Sequence, residues 1–150
     1  MRLHGDRLPQ QPQVGEGGGA TCLSGAPNEV WSYGEQVYEI CKTYMTLREE
    51  LRDYTRTLMK DAHENGSPIM RPCFYDFPAD PQCWDVETQY MYGSKYLCCP
   101  VFSPGQRKIS VYLPSGPQWK ALNSEECFDG GKTVEVNCPI ELMPVFIRQG

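Results

Sequence analysis

Eight cysteines and two histidines could in principle form a metal site or a disulfide framework. No two of the cysteines have the Cys-x-x-Cys spacing typical of zinc sites, and two histidines offer few further ligands. Cys98 and Cys99 are adjacent inside an apolar run, where small buried residues are expected. The pattern favours unpaired core thiols over disulfides and predicts no bound metal. The eight positions are Cys22, Cys41, Cys73, Cys83, Cys98, Cys99, Cys127 and Cys138.

Three pairs of carboxylates are candidates for a catalytic acid and base because they lie close together in the sequence. Asp76 and Asp80 flank Pro78 in a turn-rich segment, the second pair lies on the polar side of a predicted helix, and the third lies in a predicted loop. Because carboxylates are mostly exposed, we interpret each of them as a solvated charge and predict no catalytic pair here. The second and third pairs are Asp53 with Asp61 and Glu125 with Glu126.

The overall composition narrows the class of protein. The 150 residues carry a net charge of -5, and 40% of them are apolar. The isoelectric point is about 5.0 and the mean hydropathy is -0.51. An acidic chain with scattered basic residues gives no reason to expect nucleic acid or an anionic membrane as partner. No apolar run approaches the ~18 residues of a membrane span, and residues 1–4 lack the apolar segment of a secretory signal.

The first half of the chain is predicted to contain a loop, a long helix and a buried strand. Residues 1–30 are rich in glycine and proline and too long for a simple connection, which predicts a binding loop. Over residues 35–64 apolar side chains recur mainly at gaps of three and four, which predicts one amphipathic helix. Residues 68–77 are short, apolar and aromatic, as buried strands are. Residues 89–92 are predicted to form a brief helical or irregular turn.

The second half shows short strands separated by glycine and proline turns. The candidate strands are residues 96–102, 108–113, 132–137 and 145–148. Regular short strands of this kind predict an antiparallel β-sandwich. The fold class is therefore α/β followed by all-β, with the boundary near Gln89.

Several blocks, in the same order along the chain, resemble those of the retaining α-glycosidases of glycoside hydrolase family 31. Together they span nearly the whole chain, which makes the resemblance specific. The first is similar to the family's Arg-x-His segment, and the last ones to its C-terminal β-domain. The blocks are Met1-Arg2-Leu3-His4-Gly5-Asp6-Arg7, Asn28-Glu29-Val30-Trp31-Ser32-Tyr33-Gly34, Met70-Arg71-Pro72 with Phe74, Asp76-Phe77-Pro78, Asp80-Pro81, Gln89-Tyr90-Met91-Tyr92-Gly93, Val111-Tyr112-Leu113-Pro114, Gly130-Gly131 and Pro144-Val145-Phe146-Ile147-Arg148.

The resemblance implies a fold and a division into domains. Family 31 enzymes carry the active site on a (β/α)8 TIM barrel that is followed by β-sandwich domains. Residues 1–88 are similar to the last part of the catalytic barrel, and residues 89–150 to the proximal C-terminal β-sandwich domain. Active sites of such barrels lie at the C-terminal ends of the strands, so the loop of residues 1–30 is expected to line the sugar site.

The resemblance also implies an activity, which is hydrolysis of terminal α-xylosides or α-glucosides in carbohydrate metabolism. Retaining glycosidases use two carboxyl groups about 5 Å apart, and in this family both are aspartates upstream of the His segment. We therefore expect the isolated chain to be an inactive fragment whose first half is poorly folded. The alternative is a non-catalytic sugar-binding or interaction protein derived from the same fold. The resemblance implies no metal and no organic cofactor.

His4 is the one residue to which the resemblance gives a role in the site. The family's His in this segment forms hydrogen bonds to sugar hydroxyls, and a neutral imidazole can donate from one nitrogen and accept at the other. The alternative is a surface histidine without function. The His4-Gly5 pair is more similar to the α-xylosidase branch than to the α-glucosidase branch, which has Asn after His.

Three tryptophans and a few departures from the family pattern complete the sequence expectations. Trp31, Trp84 and Trp119 could stack on sugar, but structural packing is the favoured role for each. Cysteines replace aliphatic residues of the family at positions 73, 98 and 99, which a core tolerates. Asn123 stands where the family commonly has Trp, and Glu125 where it commonly has Gly. Such a change predicts a looser sandwich or a divergent loop.

Overall fold

The computed structural model describes residues 29–150. The chain divides into two compact units, Met1–Leu51 and Arg52–Gly150, and the first is described from Glu29 onward. The predicted loop of residues 1–30 and His4 therefore fall almost wholly outside the described residues. No helix in the described part is long and apolar enough to cross a bilayer.

The first unit contains a 3-10 helix, Val30–Tyr33, and helix α1, Glu35–Glu50. Gly34 joins them with φ 87°, a backbone conformation that favours glycine. The apolar positions of α1 repeat at helical spacing and are half-buried, as expected for an amphipathic helix: Val37, Ile40, Cys41, Tyr44 and Leu47.

The prediction of one uninterrupted helix over residues 35–64 is wrong. Helix α1 ends at Glu50, Leu51 has φ -83° and ψ 2°, and helix α2 spans Arg52–Asn65. A ψ near zero lies outside the helical range. Both helices nevertheless keep the same apolar spacing, so the periodicity of the sequence does not reveal the break.

The second unit is mainly antiparallel β-structure, which confirms the all-β part of the prediction. One sheet has six strands in the order β1-β2-β3-β8-β5-β6, and the other pairs β4 with β7. Every pair is antiparallel. The strands are β1 Met70–Arg71, β2 Tyr90–Tyr92, β3 Tyr96–Cys98, β4 Lys108–Leu113, β5 Gln118–Ala121, β6 Cys127–Asp129, β7 Lys132–Asn137 and β8 Val145–Gln149.

Several short elements differ from their predictions. Only Met70–Arg71 of the predicted strand over residues 68–77 is a strand, and helix α3, Cys73–Asp76, follows it. The predicted turn at 89–92 is strand β2, which pairs with β1 and β3. Strands β5 and β6 were not predicted. All paired strands in residues 29–150 are antiparallel, so the parallel sheet of a barrel is not represented there.

One hydrophobic core joins the two sheets and the short helices. Trp119 of β5, Phe146 of β8 and Leu97 of β3 are fully buried together with Val111 and Leu113 of β4. The indole Nε1–H of Trp119 donates to the carbonyl of Pro114 at 2.9 Å, so this buried donor has a partner. The core also contains the thiols of α3 and of the 3-10 helix Pro81–Trp84, namely Cys73 and Cys83.

Helix α2 packs on the hairpin of β2 and β3. The hydroxyl of Tyr54 donates to the carbonyl of Tyr92 at 3.2 Å, and its ring meets that of Tyr96 edge-on at 5.3 Å. Gly93 lies beneath this contact with φ 59°, and a Cβ placed there would collide with the Tyr54 hydroxyl and with Leu58. Glycine is therefore required at position 93 for the close approach of helix and hairpin.

Candidate functional site

The one residue predicted to bind sugar, His4, lies outside the described residues, so its role stays a prediction. The described part can be examined for carboxylates, thiols and aromatic side chains able to act on or bind a ligand. Two of the carboxylates that we interpreted as solvated charges are in fact nearly buried, and their contacts define what they can do.

Asp80 is 6% exposed, so its prediction as a solvated charge is wrong. Its Oδ2 accepts from the backbone N–H of Ser115 at 2.8 Å, and both carboxylate oxygens lie within 3.0 Å of the Tyr112 hydroxyl. Its Oδ1 also caps the 3-10 helix by accepting from the N–H of Gln82 at 3.2 Å. The carboxylate thus joins the start of the 3-10 helix to the end of β4 and the turn that follows it.

The electrostatics of Asp80 make it a poor acid or base. Burial alone raises its pKa, but the hydrogen bonds from Ser115, Tyr112 and Gln82 outweigh burial and hold the pKa below the usual value. The same contact works in the opposite direction on Tyr112, whose pKa is raised by burial and by the neighbouring carboxylate. Asp80 is therefore an ionised structural acceptor.

Gln89 fixes the same tyrosine through the backbone. Its side-chain Nε2–H donates to the carbonyl of Tyr112 at 2.5 Å, and its Oε1 accepts from the N–H of Tyr112 at 3.0 Å. The amide thereby imitates one residue of a pairing strand along β4. Gln89 is 6% exposed, and these bonds satisfy a polar group that would otherwise be costly to bury.

Asp76 is also wrongly predicted as solvated. Its side chain is 11% exposed and its Oδ1 lies 3.0 Å from Nη1 of Arg71, whose side chain is 9% exposed. The guanidinium also donates from Nε to the carbonyl of Pro68 at 2.7 Å and lies over the ring of Tyr75. Asp76 Oδ2 is buried and has no hydrogen-bond donor among the described residues. The ion pair secures the end of β1 against α3.

The remaining carboxylates behave largely as predicted. The side chains of Asp53 and Glu125 are both 93% exposed, and Glu126 is exposed as well. Asp61 is only partly exposed: it lies 3.8 Å from Arg71, and hydrogen bonds from Asn65 and Ser67 lower its pKa. Of the three pairs, only Glu125 and Glu126 are both exposed, as predicted for solvated charges.

The thiols of the described residues are unpaired, as predicted, and no group of three or more metal-binding side chains lies among those residues. Most of these cysteines are buried, but Cys41 is only half-buried and Cys127 is exposed. Burial raises the pKa of Cys83 to about 12 and that of Cys98 to about 11. Both thiols are neutral at pH 7, so they are poor nucleophiles.

The three tryptophans have different environments. Trp119 is fully buried, which confirms its packing role. Trp84 is 58% exposed and Trp31 is 69% exposed, so most of the surface of each residue is not packed against the protein, contrary to the predicted packing role. One face of Trp84 stacks on Phe74 with ring centroids 4.6 Å apart and planes 9° from parallel.

A single sequence signal could have identified Asp80 as a structural residue. Asp followed by Pro is typical of the residue that caps a short helix whose first position is Pro, and Asp80-Pro81 has that form. No comparable local signal marks Tyr112, Ser115 or Gln89, because their partners lie more than twenty residues away in the sequence.

The relationships to known proteins agree with this architecture. The profile of the "Glycosyl hydrolase family 31 C-terminal domain" matches residues 66–150. The chain is 33% identical over 124 residues to an alpha-xylosidase of Saccharolobus solfataricus, covering 83% of this chain and 17% of that protein. It is 32% identical over 122 residues to alpha-glucosidase 2 of Bacillus thermoamyloliquefaciens, covering 81% of this chain and 15% of that protein.

A solved structure extends the match to three dimensions. The GH31 alpha-xylosidase from a soil metagenome, complexed with xylose, is 47% identical and superimposes with a TM-score of 0.83. The match covers 85% of this chain and 19% of that one. The chain thus spans about a fifth or less of the length of these relatives. The profile match and the shared fold together show that this chain belongs to glycoside hydrolase family 31.

Proposed function

We propose that this chain is the C-terminal part of a retaining α-glycosidase that hydrolyses terminal α-xylosides or α-glucosides. The catalytic aspartates belong to a preceding part of the enzyme, and the isolated chain is inactive. The observation that carries the proposal is the 47% identity, at a TM-score of 0.83, to a family 31 alpha-xylosidase complexed with xylose.

The two nearly buried carboxylates, Asp76 and Asp80, support the inactivity of the isolated chain. Asp80 is held as an ionised acceptor by Tyr112 and Ser115, and Asp76 is ion-paired with Arg71. A retaining mechanism needs one protonated and one ionised carboxyl group about 5 Å apart and open to the substrate. Buried carboxylates that already accept structural hydrogen bonds do not meet this requirement.

The structural role that we propose for the chain is to complete and support the catalytic part. In this proposal residues 1–88 are the last portion of the (β/α)8 barrel and residues 89–150 are the proximal β-sandwich domain. Pairing of β1 with β2 crosses position 89, so hydrogen bonds run between the two parts. Asp80 adds side-chain bonds to Tyr112 and Ser115 across the same junction.

The contribution of this chain to the sugar site is His4, at the end of the Arg2-Leu3-His4 segment. We propose that its imidazole forms hydrogen bonds to two hydroxyl groups of the sugar whose glycosidic bond is cleaved. A neutral imidazole suits such a pair because one nitrogen donates and the other accepts. The protein needs no metal or organic cofactor in this proposal.

The test is to extend the chain at its amino end with the coding region that precedes it and to assay both forms. We expect the extended protein to hydrolyse 4-nitrophenyl α-xyloside or α-glucoside, and nuclear magnetic resonance to show that the α-anomer is released first. The ratio of kcat/KM for the two substrates then gives the specificity. An extended protein without turnover, or release of the β-anomer first, would contradict the proposal.

The second candidate is a non-catalytic sugar-binding or interaction protein. It is favoured by the completeness of the unit Arg52–Gly150, whose two sheets share one core. The two candidates differ in one result, because the second predicts no hydrolysis by the extended protein but retention of sugar binding by this chain.

A further inference from the structure

The side chain of Trp84 is exposed and yet held in one orientation. One face of the indole stacks on Phe74 at 4.6 Å, and the Nε1–H donates to the carbonyl of Pro78 at 3.1 Å. The residue remains 58% exposed, so its other face is open to solvent. A rigid, open aromatic face loses little side-chain entropy when a ligand packs on it, since the cost of ordering is already met by the fold.

A polar groove begins at the residue that follows Trp84. The groove is open to solvent and is lined by carboxylates and hydroxyl groups from the segment after the 3-10 helix, from β4 and from β7. The polar lining residues that matter are Asp85, Glu87, Thr88, Ser110 and Thr133. All of these residues are exposed, so their polar atoms are available to a ligand.

The two features together suit a sugar ring. A pyranose presents apolar C–H groups on its faces and hydroxyl groups around its edge. The open face of Trp84 can cover the C–H groups, as an amphipathic aromatic surface does. Carboxylates accept two or more hydrogen bonds and threonine or serine hydroxyls both donate and accept, which matches a row of sugar hydroxyls.

We propose that Trp84 and this groove form a carbohydrate-binding surface on the β-structured unit, which takes a pyranosyl residue of an α-glucan chain. The choice of an α-glucan rests on the proposed function, whereas the surface itself is argued from the aromatic platform and its polar neighbours. The site retains a chain of sugar residues without acting on the glycosidic bond.

The test uses the 150-residue chain and maltotriose, followed by nuclear magnetic resonance of the three indole N–H groups. We expect saturable shifts of the Trp84 resonance, with a dissociation constant in the millimolar range, and an unshifted resonance for buried Trp119. The dispersed Trp119 resonance also reports that the second unit is folded in every variant.

Four substitutions distinguish binding on the Trp84 ring from changes that are not specific to the proposed surface. Trp84→Ala is expected to weaken binding about tenfold, corresponding to 1.4 kcal/mol, and Trp84→Phe to restore most of it. Thr133→Val removes one hydroxyl at constant shape and is expected to weaken binding severalfold without affecting the stack on Phe74. Trp31→Ala is the matched control, because Trp31 is also exposed but lies in the first unit.

Absence of a saturable Trp84 shift at a large excess of maltotriose would overturn the proposal, and so would equal affinity of the Trp84→Ala and Trp31→Ala variants. These results are independent of catalysis. Hydrolysis by the extended protein with no binding here refutes only the carbohydrate-binding surface. Binding here with no hydrolysis by the extended protein refutes only the proposed function.

Discussion

The hydroxyl of Tyr112 on β4 lies 2.8 Å from Oδ2 and 3.0 Å from Oδ1 of Asp80, which is 6% exposed. Two residues separated by 32 positions in the sequence thus fix the segment after α3 against the two-stranded sheet. The backbone N–H of Ser115 donates to the same carboxylate at 2.8 Å. These hydrogen bonds link the start of the 3-10 helix Pro81–Trp84 to the end of β4 and the turn that follows it.

Replacing Asp80 by Asn is expected to lower the free energy of unfolding by about 1–3 kcal/mol. Asn keeps one acceptor oxygen but turns its NH2 group toward one of the donors, Tyr112 or Ser115. Urea denaturation of the two proteins at pH 7 measures the difference. Asp53→Asn is the control, because Asp53 has a fully exposed carboxylate and is expected to change stability by less than about 0.5 kcal/mol.

The pH dependence of stability follows from the same carboxylate. The folded pKa of Asp80 is below its ordinary value, so its ionised form stabilises the fold above that value and the contribution is lost as the pH falls through the folded pKa. We expect the stability difference between the original chain and Asp80→Asn to shrink below about pH 4. A difference that stays constant from pH 7 to pH 3 would contradict the assignment.

Gly93→Ala is expected to destabilise the second unit by about 3 kcal/mol, through overpacking and through a backbone angle that alanine avoids. A Cβ at position 93 would meet the Tyr54 hydroxyl and Leu58. Gly105→Ala is the matched control, because its φ is 73° and a Cβ there meets no atom within 4 Å. We expect Gly105→Ala to cost only about 1 kcal/mol. The measurement is the midpoint temperature of thermal unfolding. An equal decrease for Gly93→Ala and Gly105→Ala would show that the contact of position 93 with α2 does not matter.

Arg71→Met is expected to cost about 3 kcal/mol of stability, because it leaves the carboxylate of Asp76 buried without its charge partner. The double variant Arg71→Met with Asp76→Asn should recover part of this loss, since no unpaired charge remains. Arg56→Met serves as the control, because Arg56 forms an exposed ion pair with Asp53. A double variant that loses as much free energy of unfolding as the two single variants lose together, or more, would argue against the pairing.

His4→Ala tests the sugar-binding role in the extended protein. If the imidazole forms hydrogen bonds to the sugar in the transition state, we expect kcat/KM to fall by about 100-fold or more. His63→Ala is the control, since His63 is exposed near the end of α2. An unchanged kcat/KM for His4→Ala would contradict the sugar-binding role and favour the alternative, a surface histidine without function.

Strands with clear alternation were predictable from sequence, whereas short elements were not. The bounds of β4, Lys108–Leu113, and β7, Lys132–Asn137, agree with the predicted ranges because six residues suffice to show a period of two. Helix α3 has four residues and β2 has three, which is too short for either period to be recognised. The break at Leu51 was hidden because the apolar spacing continues through it.

The family could be predicted from the sequence, whereas the roles of the buried carboxylates could not. Ordered blocks identified family 31, which the profile match over residues 66–150 confirms. The role of Asp80 was misjudged because its exposure depends on partners distant in sequence, Tyr112 and Ser115. Asp76 differs, because its partner Arg71 is only five residues away. A local pattern shows which residues are charged but not which distant donors fold back upon them.

The most direct test of the central claim is the hydrolysis of 4-nitrophenyl α-xyloside by the purified 150-residue chain, measured beside the extended protein under the same conditions. The account predicts turnover by the extended protein and none above background by the 150-residue chain, since we propose that the catalytic aspartates lie in the preceding part of the enzyme. Turnover by the 150-residue chain that disappears in a variant of one of its own carboxylates would contradict the account.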